Sequence, residues 1–216
     1  MSEINIEVWS DVVCPWCYIG HRRLHRALKN LGLESKVTIT HRAFQLQPDF
    51  PVDRFIPTSE HLATKYKLGP DQVVEMQKQV LEAAETEGLT YHLEHTLSGN
   101  TVDAHRVILW AQDQGHGLEL LMRLFDAYFV QQENFFTHEN LLQFVGELEL
   151  DVDAARAMLD SDEYEDQVID EGRMAGQFGA SGVPFFVINR KFGISGAQPI
   201  EVFEGSLTRA LEDAHN

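Results

Sequence analysis

A chain of 216 residues, 44% hydrophobic and 24% charged, can bury a core without disulfide staples and lies in the ordinary range of globular proteins. With 34 acidic residues against 17 basic ones, its formal net charge of −17 repels polyanions and argues against nucleic acid as a partner. The sequence does not open with a cationic stretch followed by an apolar run and a small-residue cleavage site, and no run approaches ~18 consecutive apolar residues; the expectation is a cytoplasmic protein with no membrane partner.

The first predicted element is a strand, because Ile4, Ile6 and Val8 alternate with Asn5 and Glu7 up to Trp9. It runs directly into SDVVCPWCYIG, Ser10 to Gly20, which holds both cysteines of the chain. Leu24, Ala27, Leu28 and Leu31 then follow helical spacing and Gly32 supplies a stop, so the pattern predicts a helix over Cys17–Leu31. Pro15 suits its first turn, where a missing N–H costs nothing. The segment KVTITHRAF alternates again and reads as a second strand. A β-α-β unit this short is compact, with a right-handed crossover.

After a proline-containing loop, Gln45 to Pro57, helix signals dominate. Ser59 is placed to cap one helix. Gly69-Pro70 opens another, with Val73, Val80, Leu81 and Ala84 on its face and Gly88 at its end. Asn100 is placed to cap TVDAHRVILWAQDQG. Leu118, Leu121, Met122, Phe125 and Phe129 form an apolar stripe, and so do Leu141, Leu142, Val145 and Leu148 behind Thr137. A last helical stretch, broken near Ser161, runs from Asp151 to Phe178; the acidity between Glu147 and Glu171 reads as a solvated face. Strand character returns as a hairpin, Phe185–Ile188 and Phe192–Ile194, and Pro199 starts an amphipathic helix carrying Ile200, Phe203, Leu207 and Leu211. The expected fold class is α/β, with residues 1–57 and 179–216 forming one domain and 58–178 an all-helical insertion.

The chemistry concentrates in the cysteine pair. A thiolate, not a thiol, attacks disulfides, and the unpaired N–H groups of a helix N-terminus favour an anion. Cys14 at that edge is the expected nucleophile; Cys17, one turn on and more buried, is spaced to resolve the mixed disulfide. His21 and Arg22 stand near enough along the chain to add to thiolate stabilisation, an effect that solvent and salt screen. Two packing cysteines are the plain alternative, and proline between them at a helix start argues against it. Zinc is the sharper rival, since CPWCYIGH has C-x2-C-x3-H spacing and YHLEH adds His92 and His95. Structural zinc draws on paired ligand clusters in small modules, so no metal is expected here. His25, His41, His61, His116, His138 and His215 read as ordinary surface or core residues.

A strand running into Cys-Pro-Trp-Cys, a helical insertion and GVPFF opening a hairpin together resemble the DsbA-like branch of the thioredoxin superfamily. SDVVCPWCYIG and NTVDAHR are most similar to the FrnE-type oxidoreductases, related to the kappa-class glutathione transferases and the 2-hydroxychromene-2-carboxylate isomerases. The resemblance spans nearly the whole chain and implies a thioredoxin fold, βαβ…ββα, interrupted by the helical domain. It also implies that Pro184 is cis and faces the dithiol, and that the Val183 backbone pairs with an extended substrate beside Pro15 and Trp16. The expected activity is thiol–disulfide exchange on a disulfide-containing protein or small molecule, in the reducing or isomerising direction. No cofactor is expected beyond glutathione or a thioredoxin-type reductant as redox partner.

Departures from the family pattern shape these expectations. Val8 stands where thioredoxins carry a buried acid, and strand alternation turns Glu7 away, so no proton acceptor is assigned. Trp16 replaces the histidine of strongly oxidising relatives, which implies a less oxidising couple. In the transferase and isomerase relatives a serine stands at the position of Cys14. Two cysteines here argue against their chemistry, a glutathione-dependent reaction on a small aromatic or polyketide-like molecule, which stays as the alternative beside a non-enzymatic holdase. In NTVDAHR, Asn100 is expected as a helix cap, with His105 and Arg106 as anion contacts in the alternative reading.

Overall fold

The structure, a computed structural model, describes residues 4–214; His215 lies outside them. The chain divides into two compact units, Met1–Leu46 with Asp166–Asn216, and Gln47–Glu165.

In the first unit the alternating segment forms β1 (Ile4–Ser10). It is joined through α1 (Pro15–Asn30) to the parallel β2 (Val37–Ala43). On its other side β1 pairs antiparallel with β5 (Phe185–Ile188), which pairs antiparallel with β6 (Phe192–Ser195), giving the order β2-β1-β5-β6. Ile4, Ile6 and Val8 face α1 and the terminal α9 (Ile200–Ala214), where they meet Leu24, Leu28, Phe203 and Leu207. The opposite face carries Trp9, Phe185 and Val187 under Met174, Ala175 and Phe178, at the end of α8 (Glu165–Gln177). Covered on both faces, β5 is buried throughout, which is why it is written as an unbroken apolar run. The Trp9 indole donates to the Glu171 carbonyl at 2.8 Å, satisfying its one donor inside that layer.

The second unit holds β3 (Phe55–Pro57), α2 (Thr58–Tyr66), α3 (Pro70–Glu85), β4 (Leu97–Gly99), α4 (Val102–Asp113), α5 (Gly117–Phe129), α6 (His138–Glu147) and α7 (Val152–Leu159). It is therefore not all-helical: β3 and β4 form an antiparallel pair. Strands of three residues, one ending in proline and the other in glycine, are too short to show alternation. Gly99 is needed there, because a Cβ would lie 2.7 Å from the Phe136 ring, which itself stacks on Phe55.

Three further expectations are corrected. The helix ending at Phe178 belongs to the sheet unit, since its apolar residues cover the Trp9 face; periodicity reveals an apolar stripe but not what packs on it. Thr137 caps α6 and Asp151 caps α7 through their side chains, but Ser59 caps nothing, because α2 starts one residue earlier behind Pro57. The buried side of α5 is Leu120, Leu121, Leu124, Phe125 and Phe129, with Leu118 and Met122 half-buried at its margins.

Candidate active site

The site begins where β1 ends. Ser10 still pairs across the sheet, its carbonyl accepting from Phe44 N–H at 3.2 Å, and the chain then turns so that Asp11 C=O accepts from Cys14 N–H at 3.0 Å. Cys14 occupies the N-cap of α1 in extended backbone geometry, with Pro15 at the first helical position. No side chain caps this helix and its first turn holds no acid. The positive end of the macrodipole is thus not neutralised by a side chain and favours whatever negative charge Cys14 develops.

Cys17 N–H donates to Cys14 C=O at 3.0 Å, closing the first turn. Both cysteines are free; Cys14 is 5% exposed and Cys17 fully buried. Burial, then the hydrogen bond and charge of Cys14, push the Cys17 thiol well above the ordinary cysteine range. The Asp11 carboxylate adds to the rise, while the Asp11 backbone, hydrogen-bonded to the Cys17 sulfur, opposes it. The pair is unequal by construction: one sulfur at the helix tip, the other sealed behind it.

Across from the dithiol, the Val183–Pro184 peptide is cis and Pro184 is buried at the start of β5. The Cys14 thiol donates to the Val183 carbonyl with a sulfur–oxygen distance of 3.7 Å. Of the remaining expected contacts, Pro15 is half-buried and Trp16 is 37% exposed.

Two residues that the sequence reading left without a role contribute to this geometry. Asp11 is buried, and its carboxylate accepts from Leu46 N–H at 2.7 Å, tying the turn before Cys14 to the segment after β2. Gly20 lets α1 approach β5: a Cβ there would lie 3.0 Å from both Pro184 Cγ and Phe186 Cζ. The available signal was a glycine inside a helical pattern, which is about 1 kcal/mol worse than alanine and marks close approach when retained.

Other expectations change. His21 cannot lend positive charge to the sulfur. It is wholly buried, its Nε2 lies 3.2 Å from Ser10 Oγ, and its ring meets Phe186 edge-on. Burial, with the charge of His25 in the same sense, lowers its pKa to about 3, so the ring is neutral at physiological pH. His92 and His95 flank Glu94 in the second unit. Asn100 lies just outside the cap position yet bonds Val102 N–H at 2.9 Å, and its amide holds the carbonyls of Pro48 and Phe50. His105 is buried. Arg106 donates to Asp103 Oδ1 and to the carbonyls of Met158, Leu159, Ser161 and Glu163. Those bonds occupy all five guanidinium N–H groups, so Arg106 locks the end of α7 and has none left for an anion.

A dithiol fed by the central strand, set on a helix tip and opposed by a cis-proline, on a mixed sheet with helices on both faces, defines a thioredoxin-fold thiol protein. Residues 5–208 match the DSBA-like thioredoxin domain, and the chain belongs to that family. It is similar to the probable DsbA oxidoreductase SCO1869 from Streptomyces coelicolor, at 36% identity with a TM-score of 0.90 over 96% of this chain and 89% of that one. At the level of fold it is similar to the cytosolic disulfide reductase DsbM from Pseudomonas aeruginosa with GSH, at 18% identity and a TM-score of 0.68 over 96% and 99% of the two chains. A 2-hydroxychromene-2-carboxylate isomerase shares the fold at 14% identity and a TM-score of 0.68, over 95% of both chains. Among the described residues, no helix is long and apolar enough to cross a membrane.

Proposed function

We propose that this protein is a thiol–disulfide oxidoreductase that reduces or isomerises disulfides in the cytoplasm. The observation that carries the reading is the unequal dithiol, with Cys14 at the uncapped tip of α1 and Cys17 sealed one turn behind.

Cys14 as thiolate attacks one sulfur of a substrate disulfide; the substrate S–S bond breaks, a mixed disulfide forms, and the departing thiolate takes a proton. Cys17 stays a thiol through this step, which keeps the two sulfurs from competing. It then gives up its proton and attacks Cys14 Sγ, forming the Cys14–Cys17 disulfide and releasing the second substrate thiol. The substrate gains two electrons and the dithiol loses them. Glutathione or a thioredoxin-type dithiol returns them. On this reading the Val183 backbone, against Cys14 and preceding the cis Pro184, is the ledge on which an extended substrate pairs, with Pro15 and Trp16 as further contacts.

The reducing direction is supported by Trp16 in place of histidine between the cysteines. The fold likeness to a protein described as a cytosolic disulfide reductase agrees with it. Cys14→Ser is the decisive variant: insulin-disulfide reduction with glutathione should drop to background, and retained reduction would sink the reading. Turnover of a small aromatic substrate with glutathione in that same variant would instead favour the isomerase or transferase alternative.

A further inference from the structure

The Val183 carbonyl has two claimants. In the structure it accepts from the Cys14 thiol at 3.7 Å, and no other donor to it is found among the described residues. On the proposed reading it is also the oxygen to which an extended substrate offers a backbone N–H. We infer that substrate binding switches Cys14 on: the incoming N–H takes over the Val183 carbonyl, and the thiol, deprived of its acceptor, ionises. The inference rests on the proposed thiol–disulfide activity and adds a trigger to it.

Two effects act in the same sense. A hydrogen bond from S–H to a carbonyl favours the neutral thiol, so losing it favours the anion. The thiol is a weak donor at long range, and an amide N–H at ordinary distance outcompetes it. If the carbonyl used both lone pairs and kept both donors, the second effect would still operate, because an N–H on that oxygen offsets the negative end of the dipole facing the sulfur. The released proton goes to solvent and the electron pair stays on Cys14 Sγ, ready for attack. Without substrate, the thiol rests against the Val183 carbonyl of its own ledge.

The sign of the change makes the idea testable. A strand laid over Cys14 excludes water, and that alone disfavours the thiolate. A rise in thiolate on binding therefore needs a specific cause. Of the titratable side chains, Cys17 touches Cys14, Asp11 lies in the turn before it and His21 further along the same helix. Replacing Cys17 with alanine leaves one sulfur in the ultraviolet thiolate band, and Cys14→Ser on that background supplies the baseline.

The probe is a cysteine-free peptide of alternating valine and threonine, blocked at both ends, with binding followed by calorimetry. At a fixed pH where the free Cys17→Ala protein is mainly thiol, saturating peptide should raise the thiolate fraction about two- to fivefold, the range expected for one modest hydrogen bond. The fully N-methylated peptide should give no rise. Binding with an unchanged or lower thiolate fraction overturns the inference, and so does a rise that survives N-methylation. Absence of binding removes the ledge and overturns it too. The underlying activity is judged separately, by loss of insulin reduction in Cys14→Ser, so the two can fail independently.

Discussion

Glu7, inside β1, receives four hydrogen bonds, two from Arg42 and two from Arg190, whereas Cys14, just past the end of that strand, has one weak side-chain bond to a carbonyl together with its contact to Cys17. Arg42 is held in turn by Glu171, whose other oxygen accepts from Ala43 N–H at 2.6 Å. The first region saturates a buried charge, and a saturated charge is inert. The second sets a sulfur at the positive end of a helix that no capping side chain or first-turn acid neutralises, a field that favours an anion there. One strand thus holds a saturated charge in its middle and leads into the dithiol at its end.

The sharpest way to break this contrast is Glu7→Gln. It should destabilise the protein by about 2–3 kcal/mol in urea titration, below the 3–5 of a fully buried pair because Arg190 is largely exposed. Disulfide reduction per folded molecule should not change; a loss of activity matching the loss at Cys14 would mean that the two regions are not separate.

Gly20→Ala comes next. A methyl group 3.0 Å from Pro184 Cγ must push the proline or the helix aside. Reduction of a peptide disulfide should fall several-fold in kcat/KM, while stability changes by less than about 1 kcal/mol because alanine's helix preference offsets the crowding. Unaltered kinetics would show that the spacing between α1 and β5 does not matter to the ledge.

Acid separates the regions by pH. Burial would raise the Glu7 carboxyl, but the hydrogen bonds and charges of Arg190 and Arg42 hold it below the usual carboxylate range. Its contribution is fully present above that range and lost as pH falls through the lowered folded value. His21 acts earlier. The unfolded imidazole takes up a proton near its ordinary value of 6.5 and the folded one only near about 3, so stability falls with pH between the two. Melting temperature should decline on acidification before the carboxylates titrate. His21→Gln should flatten that decline only in part, because burial also lowers His25 and His61. A melting temperature that is flat down to the carboxylate range would contradict a buried neutral His21.

The smallest effect is expected from Asp11→Asn, which keeps an acceptor for Leu46 N–H and removes the charge near Cys17. The Cys17 thiol should then ionise more easily. Resolution of a mixed disulfide, followed by stopped-flow at fixed pH, should speed up about twofold, a change equivalent to a few tenths of a pKa unit. A slower step would mean that Asp11 takes the proton from Cys17.

Much of this was legible in the sequence, and what was missed has a common cause. Alternation found β1 and the β5–β6 hairpin, and the paired cysteines marked the helix tip, because those signals are local. The placement of α8 was not local: its stripe of Met174, Ala175 and Phe178 would suit a helical bundle as well as the Trp9 face. The roles of His21 and Arg106 could not be read from the sequence for a related reason. A charge written in the sequence has no fixed meaning until burial neutralises it, as at His21, or neighbouring carbonyls consume it, as at Arg106. Gly20 was visible as a glycine in a helix, but only Pro184 and Phe186 explain it.

The register that pairs Val8 with Phe186 and Trp9 with Phe185 carries a consequence for how the protein is made. The carbonyl facing Cys14 lies 169 residues later in the chain. A ribosome therefore delivers the dithiol well before the strand that faces it. On the proposed reading, the sulfurs exist before the carbonyl that would pair with a substrate is in place.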